Sequence, residues 1–283
     1  MPPQAMVLLA IVAIQLGAAL SVTLIPLLTT EGTVAVRIIF SAVLLWIAAR
    51  GRVRSFARTF VDNSWLLISF GLCLAVLYYC FMQAIARIPL GAAVALEFIG
   101  PLSVAVLNSR KLSHLGWIAL AGVGIALLSP LTGVELDPVG IIFALLAGAG
   151  WATFIILAAK VGNKVPGNDG LAIGMAIAAL TMIPFFVPIT EILISDLKLL
   201  LLGVAVALLS TTIPFTLEFQ ALKKLPARSY GILVSLEPAV AASIGAIFLG
   251  ERIGLQGVLA VACVVIAAIG ITIADGRDKA VQE

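Results

Sequence analysis

Glu97 and Glu237 are acids embedded in long apolar runs, and each stands beside a proline: Pro101 one turn after Glu97, Pro238 directly after Glu237. A carboxylate in that setting can hold and release a proton, and an ionisable side chain inside a bilayer marks a pathway for a proton, an ion or a solute. Proline has no N–H, so Pro101 frees the carbonyl of Glu97 and Pro238 frees that of Val234. Each site therefore offers an acid and a released backbone acceptor at nearly one level. The acids differ by three positions relative to their shared prolines, about 300° of helical rotation, so both leave their helices from roughly one face. A packing role stands open beside this one. Proline kinks can simply improve helix fit, and a neutral glutamic acid can satisfy a neighbour's hydroxyl or carbonyl.

A second polar group surrounds Ser210-Thr211-Thr212-Ile213-Pro214, with Glu218 one turn past Pro214 on the same face. Pro214 frees the carbonyl of Ser210, which makes a polar stripe; serine and threonine also bond between helices without touching a solute. Gln15 is a lone amide in apolar surroundings. Arg37 lies about one turn inside its run, where it snorkels to the interface, the favoured role, or holds Glu31 or the carboxylate of a solute. Tyr78, Tyr79 and Trp151 either line a cavity or fill the core. The single histidine, His114, falls in a loop, and Cys73, Cys80 and Cys263 form no CxxC pair. An intramembrane enzyme needs a nucleophile–base pair or metal ligands, and neither is present in the apolar runs. No catalytic residue, metal or cofactor is expected.

The elements that position these groups follow from composition. Hydrophobic residues make up 62% of 283 and charged residues 11%, against about 25% charged in soluble domains. The bilayer is the solvent. A spanning helix takes about 20 apolar residues, and ten such runs can be drawn: 5–28, 33–49, 64–86, 89–108, 114–132, 138–160, 170–190, 197–221, 227–249 and 254–274. They are continuous rather than alternating, so helices are predicted rather than a barrel. The first run lacks a basic leader and is too long for a cleaved signal, and is read as a retained helix. Thirteen of the 17 Lys and Arg fall on the side of the N-terminus, which places both termini in the cytoplasm. The net charge of +3 reflects that bias and gives no reason to invoke nucleic acid.

Arg87-Ile88-Pro89 and Pro101 return as Lys224-Leu225-Pro226 and Pro238, both prolines at an offset of 137 residues. Ten spans at that offset give five per half, residues 1–136 and 137–283. An odd number inverts the second half relative to the first. Inverted repeats around a midplane site are a common architecture of secondary transporters, and Pro101, Pro214 and Pro238 are the candidate bending points.

The segment Pro89-Leu90-Gly91-Ala92-Ala93-Val94-Ala95-Leu96-Glu97-Phe98-Ile99-Gly100-Pro101-Leu102 resembles the fourth span of the bacterial threonine/homoserine exporter family, within the drug/metabolite transporter superfamily (EamA-type). Leu209-Ser210-Thr211-Thr212-Ile213-Pro214-Phe215-Thr216-Leu217-Glu218 is similar to the eighth span of that family. Glu237-Pro238-Ala239 and Phe248-Leu249-Gly250-Glu251 match the superfamily's ninth-span signature. The resemblance implies ten helices in two inverted five-helix repeats, the bacterial inner membrane, and efflux of small neutral amino acids.

Together these readings predict an all-α membrane protein that exports small zwitterionic solutes by alternating access, with protons as the coupling ion. The alternative is an exporter of other metabolites or drugs on the same scaffold. The expected substrate and proton pathway comprises Glu97, Glu237, Glu218, Gln15, Arg37, Tyr79, Trp151, Ser210 and Thr211. A channel is disfavoured because no TVGYG-type filter is present.

Overall fold

The computed structural model describes residues 1–48, 53–101, 103–104, 113–127, 136–165, 169–222, 233–252 and 254–282. Lys224-Leu225-Pro226 and the ends of the predicted fourth and ninth spans lie outside these residues. Among the described residues every regular element is a helix. Helix α1 (Pro3–Ala48) holds the first two predicted spans, which meet at Thr29 with φ 63° and ψ 169°. No long loop is needed there. Helix α2 (Val53–Ile85) bends at Asn63 just before the predicted third span. Next come α3 (Leu90–Glu97), α4 (Ser113–Leu127), α5 (Pro138–Lys164) and α6 (Asp169–Phe186). A turn of 3-10 helix then leads to α7 (Thr190–Ser195). The remainder is α8 (Leu197–Ala207), α9 (Ile213–Leu222), α10 (Glu237–Phe248) and α11 (Leu255–Gln282).

Among the described residues, five helical stretches are long and apolar enough to cross a membrane: Pro3–Ala48, Arg58–Ile85, Pro138–Lys164, Asp169–Ser195 and Leu197–Glu218. Leu90–Pro101, Glu237–Phe248 and Leu255–Ala267 are shorter apolar helices. Large apolar side chains such as Leu8, Val76, Ile142, Leu180 and Val258 face outward. On a water-soluble surface so many would be a liability; against lipid they are matched to their solvent. The chain is a multi-pass membrane protein.

Helix interfaces are made by small residues, because lipid tails supply no hydrophobic drive and close backbone approach must do the work. Gly91 of α3 lies against Ala242 of α10, and Gly71 of α2 against Ile177 of α6. Gly124 of α4 meets the carbonyl of Ala260 in α11, and Gly150 of α5 meets Leu77 of α2. The first half of α1 reaches the later part of the chain at Gly17–Ser210 and the second half at Val36–Gly203. Gly250 takes φ 66° at the end of α10, as its position after Phe248-Leu249 predicts.

Candidate functional site

Proline sets the local geometry at all three expected bending points. Helix α3 stops at Glu97, with the Phe98 N–H donating to Val94 O at 2.9 Å. The freed Glu97 carbonyl turns toward α5, where a Cβ added at Gly148 would lie 2.7 Å from it. Gly100 and Gly148 are themselves in backbone contact, so this crossing of α3's continuation and α5 admits nothing larger than glycine. The related segment is broken at the equivalent place. Residues 235–236 form a turn and α10 restarts at Glu237, with Pro238 in its first turn. Glu97 therefore closes a helix and Glu237 opens one, where the dipole favours negative charge.

Pro214 acts differently. Without its N–H the backbone before it widens into a π turn, Leu208–Thr212, closed by Ile213 N–H donating to Leu208 O. Such π turns cluster at functional sites, and nothing in the residue pattern announced this one. Ser210 and Thr211 are buried on it, and Ser210 abuts Gly17 of α1 so closely that a Cβ there would overlap its hydroxyl.

These breaks bring six spans' polar side chains to one buried centre. Arg37 is 3% exposed and its guanidinium carbon sits 4.6 Å from the centre of the Tyr78 ring. That corrects the favoured interfacial role: the side chain turns inward and does not snorkel. Glu97 lies within electrostatic reach of Arg37. Gln15 Nε2 donates to Glu237 Oε1 at 3.1 Å, and Glu97 and Glu218 are both in electrostatic reach of Glu237. Thr211 Oγ1 faces the Tyr78 hydroxyl without closing a hydrogen bond to it. Tyr79 points elsewhere, packing against Phe143 and Phe185 at 6.4 Å between ring centres. Trp151 stands edge-on to Phe98 at 5.6 Å, next to Glu97. Of the adjacent tyrosines, Tyr78 is thus the one in contact with Arg37, and the sequence offers no signal that separates them.

Several of these groups lack partners. Gln15 Oε1, Arg37 Nε and Nη1, and the hydroxyls of Ser210, Thr211 and Thr212 are buried without a hydrogen bond among the described residues. Buried polar atoms are satisfied in the great majority of cases, so such a concentration is itself a feature. Every bidentate edge of a guanidinium includes Nε or Nη1, and neither nitrogen is spent on a hydrogen bond among the described residues.

A different polar set ties one end of the bundle together. Gln83 Nε2 donates to Glu31 Oε1 at 2.8 Å, and Arg87 Nη1 donates to the Gln83 carbonyl at 2.7 Å and to Gln83 Oε1. Arg87 also pairs with Asp137 at 3.8 Å and lies over Phe143. The Leu90 N–H donates to both oxygens of Glu251, at 2.9 and 3.0 Å. Burial pushes the Glu251 carboxyl above its ordinary range and the Leu90 N–H opposes that shift. The sequence gives no warning of this network, because its members come from four separate stretches of the chain.

The EamA-like transporter family matches residues 138–273. A threonine/homoserine exporter of Salmonella typhimurium (strain LT2) is 38% identical over 289 residues, covering 99% of this chain and 95% of that protein. The threonine/homoserine exporter of Escherichia coli (strain K12) is 36% identical over 283 residues, with the same coverage. An uncharacterized transporter of Bacillus subtilis (strain 168) is 26% identical over 255 residues, covering 86% of this chain and 83% of the other. A crystal structure 14% identical in sequence aligns with a TM-score of 0.56, covering 94% of this chain and 98% of that one. It speaks to the fold alone.

Proposed function

The chain belongs to the EamA-like transporter family, and we propose that it exports small neutral amino acids of the threonine and homoserine kind by proton-coupled alternating access. It is a transporter and not an enzyme. One observation carries the substrate class: a buried guanidinium, Arg37, lies within electrostatic reach of buried Glu97, which is in turn within reach of buried Glu237. A zwitterion presents both signs within a few ångströms, and this centre presents both in complement. Acids outnumber the guanidinium among the described residues of this centre, a balance that suits a proton or a substrate ammonium.

The cycle requires two related halves, residues 1–136 and 137–283, inverted in the membrane as ten helices with both termini cytoplasmic. The packing supports this arrangement. The third span lies against the sixth and seventh, as the eighth lies against the first and second. The fourth lies against the sixth as the ninth lies against the first, while the fourth and ninth pair with each other, as do the fifth and tenth. Exchanging each helix for its counterpart five spans on leaves the scheme unchanged. One half rocking against the other about Pro101, Pro214 and Pro238 then exposes the centre to either side. In a bacterium the inner membrane is where such a gradient-driven exporter works.

Glu97 carries the proton in this scheme, released as substrate loads. In proteoliposomes Glu97→Gln is expected to abolish pH-driven counterflow while amino-acid exchange across symmetrical pH persists. Undiminished proton-driven flux in that variant removes Glu97 from the role.

A further inference from the structure

Helical serine and threonine hydroxyls ordinarily find the carbonyl one turn back, and this protein follows the habit closely. Ser21, Thr33, Thr153, Thr190, Thr216 and Ser243 each donate to the carbonyl four residues earlier, at 2.7 to 3.0 Å. Ser210, Thr211 and Thr212 do not; all three hydroxyls are buried and without a partner among the described residues. The cause is the π turn over Leu208–Thr212. Widening the turn moves the carbonyls off the line a side-chain hydroxyl can reach, so the kink at Pro214 leaves consecutive hydroxyls unspent.

Their position is as informative as their lack of partners. Thr211 faces the Tyr78 hydroxyl, and the Tyr78 ring lies under the Arg37 guanidinium. Ser210 abuts Gly17, two residues beyond Gln15, whose amide holds Glu237. Thr211 therefore stands beside the pole that suits a carboxylate, with Ser210 its neighbour on the same π turn. We propose that Ser210 and Thr211, presented by the π turn, form a subsite that reads the side-chain hydroxyl of a small β- or γ-hydroxy amino acid. The idea rests on the amino-acid export reading and deepens it. A hydroxyl is donor and acceptor at once, so one substrate oxygen can satisfy two protein hydroxyls that otherwise stay buried and unmade. An isosteric substrate with methyl in its place leaves them unmade, and sites built this way reject the analogue strongly.

The test is counterflow of labelled threonine by the purified full-length chain in proteoliposomes, competed by unlabelled threonine, valine, serine and alanine. Threonine and valine have nearly the same shape and differ at the hydroxyl. The wild type is expected to favour threonine over valine, and serine over alanine, by about tenfold or more. Thr211→Val is expected to bring the threonine-to-valine ratio close to one, and Thr211→Ser to restore most of it; Ser210→Ala is expected to lower the ratio independently. A merely structural role lowers flux of both substrates together and leaves the ratio intact, which overturns the proposal. A wild-type ratio near one overturns it as well, whether or not the variants fold, and means that water satisfies these hydroxyls. Amino-acid flux without hydroxyl preference sinks this inference alone, whereas absence of any amino-acid flux sinks the export reading with it.

Discussion

Arg37 and Arg87 are the same side chain in two settings. Arg87, at one end of the bundle and a third exposed, donates twice to Gln83, pairs with Asp137 and lies over Phe143. Arg37, in the middle and 3% exposed, has the Tyr78 ring beneath it and two nitrogens with no hydrogen-bond partner among the described residues. The end therefore resembles a finished structure, its polar groups spent on one another to hold helix termini together. The centre resembles a site, where desolvation of a charge is costly and two of the Arg37 nitrogens are not spent on a hydrogen bond among the described residues. Buried polarity alone does not distinguish structure from function here; unspent polarity does.

The largest effect follows from breaking that contrast at its charged pole. Arg37→Gln is expected to weaken competition by zwitterionic amino acids about 100-fold or more, in line with the loss of one member of a buried charge pair. Arg37→Lys keeps the charge but not the fork, and is expected to recover only part of the affinity. Arg87→Gln in the same counterflow assay is expected to change affinity by less than about threefold. Equal losses from the two arginines erase the distinction between end and centre.

A smaller effect tests how the centre is positioned. Gly148 gives way to the Glu97 carbonyl, and a Cβ at that position would sit 2.7 Å from the oxygen. Gly148→Ala is expected to cost about 1–3 kcal/mol as overpacking, lowering the thermal midpoint in detergent by several degrees and displacing Glu97. Gly162 lies on the same helix with nothing within 4 Å of such a Cβ, so Gly162→Ala is expected to be neutral or slightly stabilising. Parallel behaviour of the two variants means that the α3–α5 crossing does not set the acid's place.

The sequence made some of this legible and hid the rest for physical reasons. Apolar run length reports what lipid requires of a helix, so the helical class could be read without coordinates. The acids and prolines stood out because each breaks an otherwise apolar pattern. The direction of a side chain is another matter. Arg37 reads first as an anchor and second as a ligand until the rotation of its helix is known, and Tyr78 and Tyr79 differ by only about 100° of that rotation. The π turn before Pro214 was hidden because proline permits several local rearrangements and the neighbours choose among them. The network of Glu31, Gln83, Arg87 and Asp137 draws on segments as much as 106 positions apart, a closeness that no short-range spacing encodes.

The smallest effect belongs to the outer pair of that network. Asp137 has two roles: one oxygen meets Arg87 at 3.8 Å, and the other accepts from the Val139 N–H at 2.9 Å to cap α5. The side chains are 33% and 39% exposed, so solvent screens the pair and it is worth at most about 1 kcal/mol. Asparagine caps a helix nearly as well as aspartate, whereas alanine costs about 1 kcal/mol at such a position. Asp137→Asn thus removes charge and keeps the cap, and is expected to leave counterflow and thermal midpoint almost unchanged. Asp137→Ala removes both and is expected to lower the midpoint by about 2–4 °C. A fall in flux from the asparagine variant comparable to that of Arg37→Gln would mean that the closed end is part of the transport machinery, and the line drawn between spent and unspent polarity would have to be moved.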